Sequence, residues 1–164
     1  MRIALIQLNE INFSFVEKYI EKGYILNNLS EILENRLETI EDETYENLEP
    51  WIQWPTLLIG KPFKEHKIFR LGDGSKKEIK NLYTSLQEKL NFSCGAIAPM
   101  NISSKTANFD FFVPDPWSEE KFKGSFSLRF ISEALKQGVN DNTGKGLTLK
   151  NKILVLIGLL FNIK

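Results

Sequence analysis

Three tryptophans, one histidine and a proline-flanked aspartate carry most of the chemistry that this 164-residue sequence offers. Trp51, Trp54 and Trp117 present indole faces on which a sugar or a nucleotide base can stack; the same rings equally suit packing around the mouth of a sheet, each N–H finding a carbonyl. Asp115 stands between Pro114 and Pro116, whose fixed φ stiffens the turn and holds the carboxylate either toward a substrate or within the turn itself. His66 is the only histidine. Its imidazole can ligate a metal or act as a general base, and the favoured reading is a loop-bracing ring bonded to backbone carbonyls. In Leu71-Gly72-Asp73-Gly74-Ser75 two glycines precede an expected helix, where backbone N–H groups can cradle a phosphate. The segment has neither Walker nor Rossmann spacing, so Asp73 or Ser75 reads better as a helix cap.

Composition removes several other chemistries. The single Cys94 excludes a disulfide framework and a cysteine-based zinc cluster. Lys plus Arg number 21 against 21 Asp plus Glu, and a neutral chain is a poor general nucleic-acid binder because duplex affinity comes largely from phosphate neutralisation. The charge is unevenly placed. Glu31 to Glu49 is strongly acidic and Lys61 to Lys80 strongly basic, which reads as two solvated faces. The N-terminus lacks the apolar length of a secretory leader. The longest apolar run, Ile153 to Phe161, is about half of a bilayer span. The expectation is a cytoplasmic protein without a transmembrane segment. The final run, flanked by Lys150 and Lys152, reads as a core helix in preference to a membrane-surface one.

The elements that must position these residues alternate between strand and helix. Arg2–Leu8 reads as a buried strand. Asn12 caps a helix carrying Phe13, Val16, Tyr19 and Ile20 on one face, with Gly23 as its stop. Leu29, Ile32 and Leu33 suggest a second helix, and Arg36 to Ile40 an edge strand. Residues 55–60 bound a short helix ended by Gly60-Lys61-Pro62. Ile79, Leu82, Tyr83, Leu86 and Leu90 predict a long helix over Ser75–Leu90. Ser93–Ala98 and Phe109–Val113 read as short buried strands. Phe130, Ile131 and Leu135 mark a helix ending near Gly138, followed by a turn-rich loop at 141–146 and the apolar final helix. Strands separated by helices predict a doubly wound, mostly parallel α/β sheet with helices on both faces, in one domain over residues 1–164. Ligands of such sheets bind beyond the carboxyl ends of the strands. Those ends would be Leu8 to Asn12, Glu49-Pro50-Trp51, Pro99-Met100-Asn101 and Pro114 to Trp117.

Taken in that order, these four segments resemble the N-terminal half of the alkaline phosphatase-like superfamily, in particular its bacterial type I phosphodiesterase or phosphohydrolase branch. Leu8-Asn9-Glu10-Ile11-Asn12-Phe13 is similar to the family's Leu-Asp-Gly-x-x-(aromatic) turn, with Gly23 and Asn28-Leu29 after it. Trp54-Pro55-Thr56-Leu57-Leu58-Ile59-Gly60-Lys61, continued through His66-Lys67-Ile68-Phe69, resembles the family stretch Trp-x-(Ser/Thr)-x-x-Thr-Gly-Lys…His-Gly-Ile-Phe. Gly95-Ala96-Ile97-Ala98-Pro99-Met100 is similar to a strand that also ends in Pro-Met. The resemblance covers Met1 to about Trp117.

The resemblance implies hydrolysis or transfer of a phosphate or sulfate ester, sugar- or nucleotide-linked, with two divalent metals drawn from Zn, Mn or Mg. It also implies departures. Asn9 stands where the family has a metal-ligating Asp, leaving Glu10 as the available carboxylate. Ten residues before Gly60, the family nucleophile falls on Pro50, which has no hydroxyl. Either Thr56 serves in its place, or Glu49 takes a new role, or nucleophilic catalysis is lost. The later Asp-His pair and distal His ligands of the family have no counterpart here, so the expectation is the N-terminal part of a larger catalytic domain, inactive alone and holding no complete metal centre. Self-association through Ile153 to Phe161 goes with that expectation. The alternative is a non-catalytic binding module that uses the strand-end loops lined by Trp51, Trp54 and Trp117, with Asp115 among its contacts, in a context of bacterial surface-polysaccharide assembly.

Overall fold

A computed structural model describes residues 3–8, 11–37, 48–140 and 146–160, and the chain divides into two compact units, Met1–Glu43 and Thr44–Lys164. Among the described residues it is a mixed α/β protein with seven helices and a small parallel sheet of two strands. No helix among them is long and apolar enough to cross a membrane.

In the first unit, Asn12 accepts from Ser14 N at 2.9 Å and so caps α1 (Phe13–Glu21), whose apolar face buries Val16. The second helix, α2 (Asn27–Glu34), follows as its spacing predicts. The strand expected over Arg2–Leu8 does not form across residues 3–8. Ile3, Leu5, Ile6 and Leu8 are each more than half exposed. Hydrophobic, β-branched sequence makes a strand only where a neighbour takes up its N–H and C=O groups, and no strand among the described residues pairs with this one. Most of the edge strand expected over Arg36 to Ile40, and of the turn-rich loop expected at 141–146, lies outside the described residues; Arg36, Leu37 and Gly146 are in neither strand nor helix.

The second unit opens with α3 (Pro50–Ile59), which Pro50 starts at a position where its missing N–H costs nothing. Gly60, left-handed at φ 69°, closes it. A single helical turn, α4 (Phe63–His66), comes next. The long helix predicted over Ser75–Leu90 is broken into three pieces: a 3-10 turn at Asp73–Lys76, an extended stretch, and α5 (Leu82–Leu90). Asn81 is the reason. Its Oδ1 accepts from Tyr83 N at 3.0 Å and Thr84 N at 3.3 Å, while Asn81 N donates to Thr84 Oγ1 at 3.3 Å. This reciprocal cap requires Asn81 to be extended and stops the helix from running backward.

β1 (Cys94–Ile97) and β2 (Phe109–Val113) pair in parallel, with Ala96 opposite Phe112 and Ile97 opposite Val113. An isolated antiparallel bridge joins Phe112 to Lys123. Cys94, Ala96, Phe109 and Phe112 form the core, against which Tyr83, Leu86 and Phe92 pack. Tyr83 stands edge-on to Phe109 with centroids 5.2 Å apart. Each fully buried phenylalanine of this kind contributes about 2–3 kcal/mol. The chain ends in a hairpin of α6 (Phe126–Asn140) and α7 (Leu149–Leu160), in which Gln137 Oε1 accepts from Thr148 N at 3.3 Å and also from Asn151. At the other end of the hairpin a Cβ on Gly158 would stand 3.1 Å from Ser127 O, a close approach of the two backbones.

Candidate functional site

The site begins with a proline. Pro55 lies inside α3 and has no N–H to give to the carbonyl four residues earlier, Trp51 O. That oxygen is taken instead by Asn101 Nδ2 at 2.8 Å. Asn101 follows β1 in a left-handed conformation, φ 58°, which asparagine adopts more readily than other side chains. The rest of its amide is equally committed. Nδ2 donates to Arg70 O at 3.1 Å, and Oδ1 accepts from Gly72 N at 2.8 Å and Gly74 N at 3.3 Å. The two glycine N–H groups that the sequence offers to a phosphate are therefore filled by the protein's own amide oxygen. Only glycine fits at 74, because a Cβ there would fall 1.8 Å from Asn101 O. Asp73 closes the same loop by accepting from Arg70 N at 2.9 Å.

Asp115, after β2, completes the cluster. It is 3% exposed, and its two carboxylate oxygens accept from Trp117 N at 2.9 Å and Asn101 N at 3.4 Å. Burial pushes this carboxyl above its ordinary value, opposed by those two backbone N–H groups and by the charge of Lys136. Trp117 itself is 46% exposed. A Cβ on Gly72 would lie 3.1 Å from Trp117 O, so the glycine loop also approaches this turn closely. The loops that follow the two strands are thus tied to α3 and to the 70–74 loop through one asparagine and one aspartate.

A second cluster surrounds the nucleophile candidate. Thr56 Oγ1 donates to Ile52 O at 2.9 Å and lies 2.9 Å from His66 Nε2. His66 Nδ1 accepts from Ile68 N at 3.0 Å. The tautomer that satisfies both contacts carries its proton on Nε2 and gives it to Thr56. The threonine hydrogen is spent on a backbone carbonyl and the histidine is a donor toward it, so this pair is not a base activating a nucleophile. His66 does brace a loop, by accepting a backbone N–H and not by donating to carbonyls. Burial, and then the nearby Lys77 charge, hold its pKa below the ordinary 6.5.

Of the remaining candidates, Trp51 enters the Asn101 cluster through its backbone carbonyl. Glu49 precedes α3 without a side-chain bond to the helix N-terminus. Trp51 and Trp54 are half-buried on α3. Asn9 and Glu10, the metal positions implied by the resemblance, lie outside the described residues. Among the described residues no three His, Cys, Asp or Glu side chains group as a metal site. The two most buried carboxylates are already taken: Asp115 by backbone N–H groups, and Glu120 by the hydroxyls of Ser103, at 2.8 Å, and Ser104. Among the described residues this donor set does not assemble a two-metal centre. A shallow depression of about 410 Å³ in the first unit is lined by residues 25–29 and by none of the candidates. Asn101, Ser103 and Glu120 are buried, hydrogen-bonded polar residues whose part in these clusters the sequence does not announce. The available signal is Pro55, which leaves Trp51 O needing a donor, and the paired glycines, which leave two N–H groups needing an acceptor.

Compared with protein-family models, curated proteins and solved structures, the chain matches none.

Proposed function

We propose that this chain binds a phosphate or sulfate ester, sugar- or nucleotide-linked, at the loops after β1 and β2, as part of an alkaline phosphatase-like domain, and that Thr56 is not its nucleophile. The observation that carries the reading is Asn101. It joins Trp51 O, the 70–74 loop and Asp115 in one hydrogen-bonded cluster at the carboxyl ends of two parallel strands. That is where α/β sheets take their ligands. In this reading β1 and β2 are neighbours in a doubly wound, mostly parallel sheet. The exposed Trp117 indole supplies a stacking face. The exposed Arg70 side chain supplies a cation for the ester anion. Asp115 works through the backbone of Trp117 and Asn101, fixing the turn that presents the ring. No step is assigned to a metal. The same reading treats Ile153 to Phe161 as a surface for self-association, since α7 leaves Leu156, Leu159 and Leu160 at least half exposed.

Titration with glucose 1-phosphate and with adenosine monophosphate, followed by tryptophan fluorescence, tests the binding. A saturable change that disappears in Trp117→Ala and weakens in Arg70→Ala is expected; no change with either ester would overturn the reading. A parallel assay with p-nitrophenyl phosphate and bis-p-nitrophenyl phosphate, with Mn²⁺ or Zn²⁺, addresses the nucleophile. Turnover abolished by Thr56→Val would show that the threonine reacts after all.

A further inference from the structure

His66 is bonded at both ring nitrogens, to Thr56 of α3 and to the backbone at Ile68, and the second of these bonds accepts only its neutral form. A backbone N–H is always a donor, so Nδ1, which receives Ile68 N, must present a lone pair. Nε2 must carry the ring's one proton, because Thr56 has directed its own hydrogen to Ile52 O. The ring is 2% exposed, which leaves water no access to replace either partner. The charged group facing it is Lys77, from the extended stretch before α5, whose Nζ donates to His66 O at 2.9 Å and Lys67 O at 2.7 Å. From α3 it meets the neutral Thr56. On α4 it meets the neutral ring of Phe63, edge-on at 5.7 Å, over which Lys67 Nζ lies at 5.9 Å from the centroid. Glu65, the acidic residue of α4, pairs with Lys61 at 3.7 Å.

We infer that His66 is an acid-sensitive latch: a proton on Nδ1 sets N–H against N–H at Ile68 and frees residues 67–70 from the ring, which itself stays bonded to Thr56 of α3 through Nε2. The freed segment runs straight into Arg70, Gly72 and Gly74, whose backbone groups Asn101 holds, so the latch controls the approach to the strand-end cluster. The direction of its titration follows from burial and from Lys77. A histidine held low contributes stability that is complete above pH 6.5 and is lost as the pH falls through the folded value. It is the only histidine in the chain, so no other imidazole titrates in that window.

Amide exchange and the His66 Cε1–H resonance, both followed by NMR on the full chain from about pH 7.5 to about pH 4.5, test the latch. Protection of the Ile68 amide should fall about tenfold or more in step with the ring titration, while the Phe112 amide, bonded to Lys123 O at 2.7 Å, keeps its protection. His66→Asn places an amide oxygen near the Nδ1 position and cannot titrate, so Ile68 protection should become flat. Lys77→Met should move the wild-type midpoint upward by removing the repelling charge. Ile68 protection that stays constant while the ring titrates would overturn the latch, as would an unchanged step in His66→Asn. If the asparagine variant fails to fold, Lys77→Met decides: loss of Ile68 protection that moves upward together with the ring midpoint supports the latch, and loss that does not follow the ring overturns it.

Discussion

In the second unit the asparagine at position 101 is 2% exposed, while the leucine at position 156 is 58% exposed. The inversion extends to their neighbours. Ser103, Asp115 and Glu120 are buried beside Asn101, whereas Leu149, Ile153 and Leu160 are among the more exposed side chains of α7. Burying a polar group costs energy only where its hydrogen bonds are left unmade, and around Asn101 each amide atom has two partners. Leucine has no such requirement, but it gains nothing until another apolar surface covers it. One region is therefore closed on itself chemically, and the other leaves its apolar side chains exposed.

Breaking the closed region should give the largest effect. Asn101→Ala leaves Trp51 O, Arg70 O, Gly72 N and Gly74 N without their side-chain partner, at about 1 kcal/mol each, so a loss of about 4 kcal/mol is expected in denaturant unfolding. A second substitution tests why Trp51 O is available. Pro55→Ala restores the N–H that α3 lacks and returns that carbonyl to the helix. In the Pro55→Ala background, Asn101→Ala should cost about 1 kcal/mol less. Equal costs in the two backgrounds would show that Pro55 and Asn101 are independent.

Asp115→Asn is expected to cost less, about 1.5 kcal/mol, because an amide retains one acceptor for the two N–H groups the carboxylate now receives. The cost should also depend on pH. A carboxyl whose folded pKa is raised contributes stability that is complete below the unfolded value, 3.8, and is lost as the pH rises through the folded value. The substituted amide does not titrate, so the gap between wild type and variant should be wider in acid than at neutrality. A gap that widens toward neutral pH would mean that the two N–H groups and Lys136 outweigh burial.

Much of the local architecture is legible in the sequence because it depends on short-range chemistry. Asn12 caps α1, Gly60 ends α3, and the strands at 94–97 and 109–113 follow their apolar runs. Two misreadings have a common source. Over 75–90 the apolar spacing hides Asn81, yet a capping asparagine fixes a helix start more sharply than periodicity does. Over 2–8 the apolar run suggests a strand, although pairing is a property of the neighbour and not of the run. The candidate site is legible in location but not in wiring. Pro99-Met100-Asn101 and Pro114 to Trp117 are recognisable as strand ends, but which residue clamps them depends on contacts across 50 positions, from Trp51 to Asn101. Thr56 and His66 look like separate candidates in the sequence, and only the structure reveals that the threonine hydrogen goes to Ile52 O while the histidine proton goes to the threonine.

Breaking the open region should give the smallest effect on folding and a clear one on association. On α7 the side that faces α6 carries Asn151, bonded to Gln137, and Gly158, against Ser127. Leu149, Ile153, Leu156 and Leu160 recur at four- and three-residue spacing on the exposed side. Such a stripe suits a second copy of itself, since like helices offer matching ridges. Leu156→Lys removes an exposed leucine from the middle of the stripe, so the monomer's stability should change by no more than about 0.5 kcal/mol. Light scattering after size exclusion should find the wild-type chain above monomer mass at micromolar concentration and the variant at monomer mass. A wild-type chain that stays monomeric would show that the stripe does not pair with its own copy. An associated chain unaffected by Leu156→Lys would place the contact on another surface.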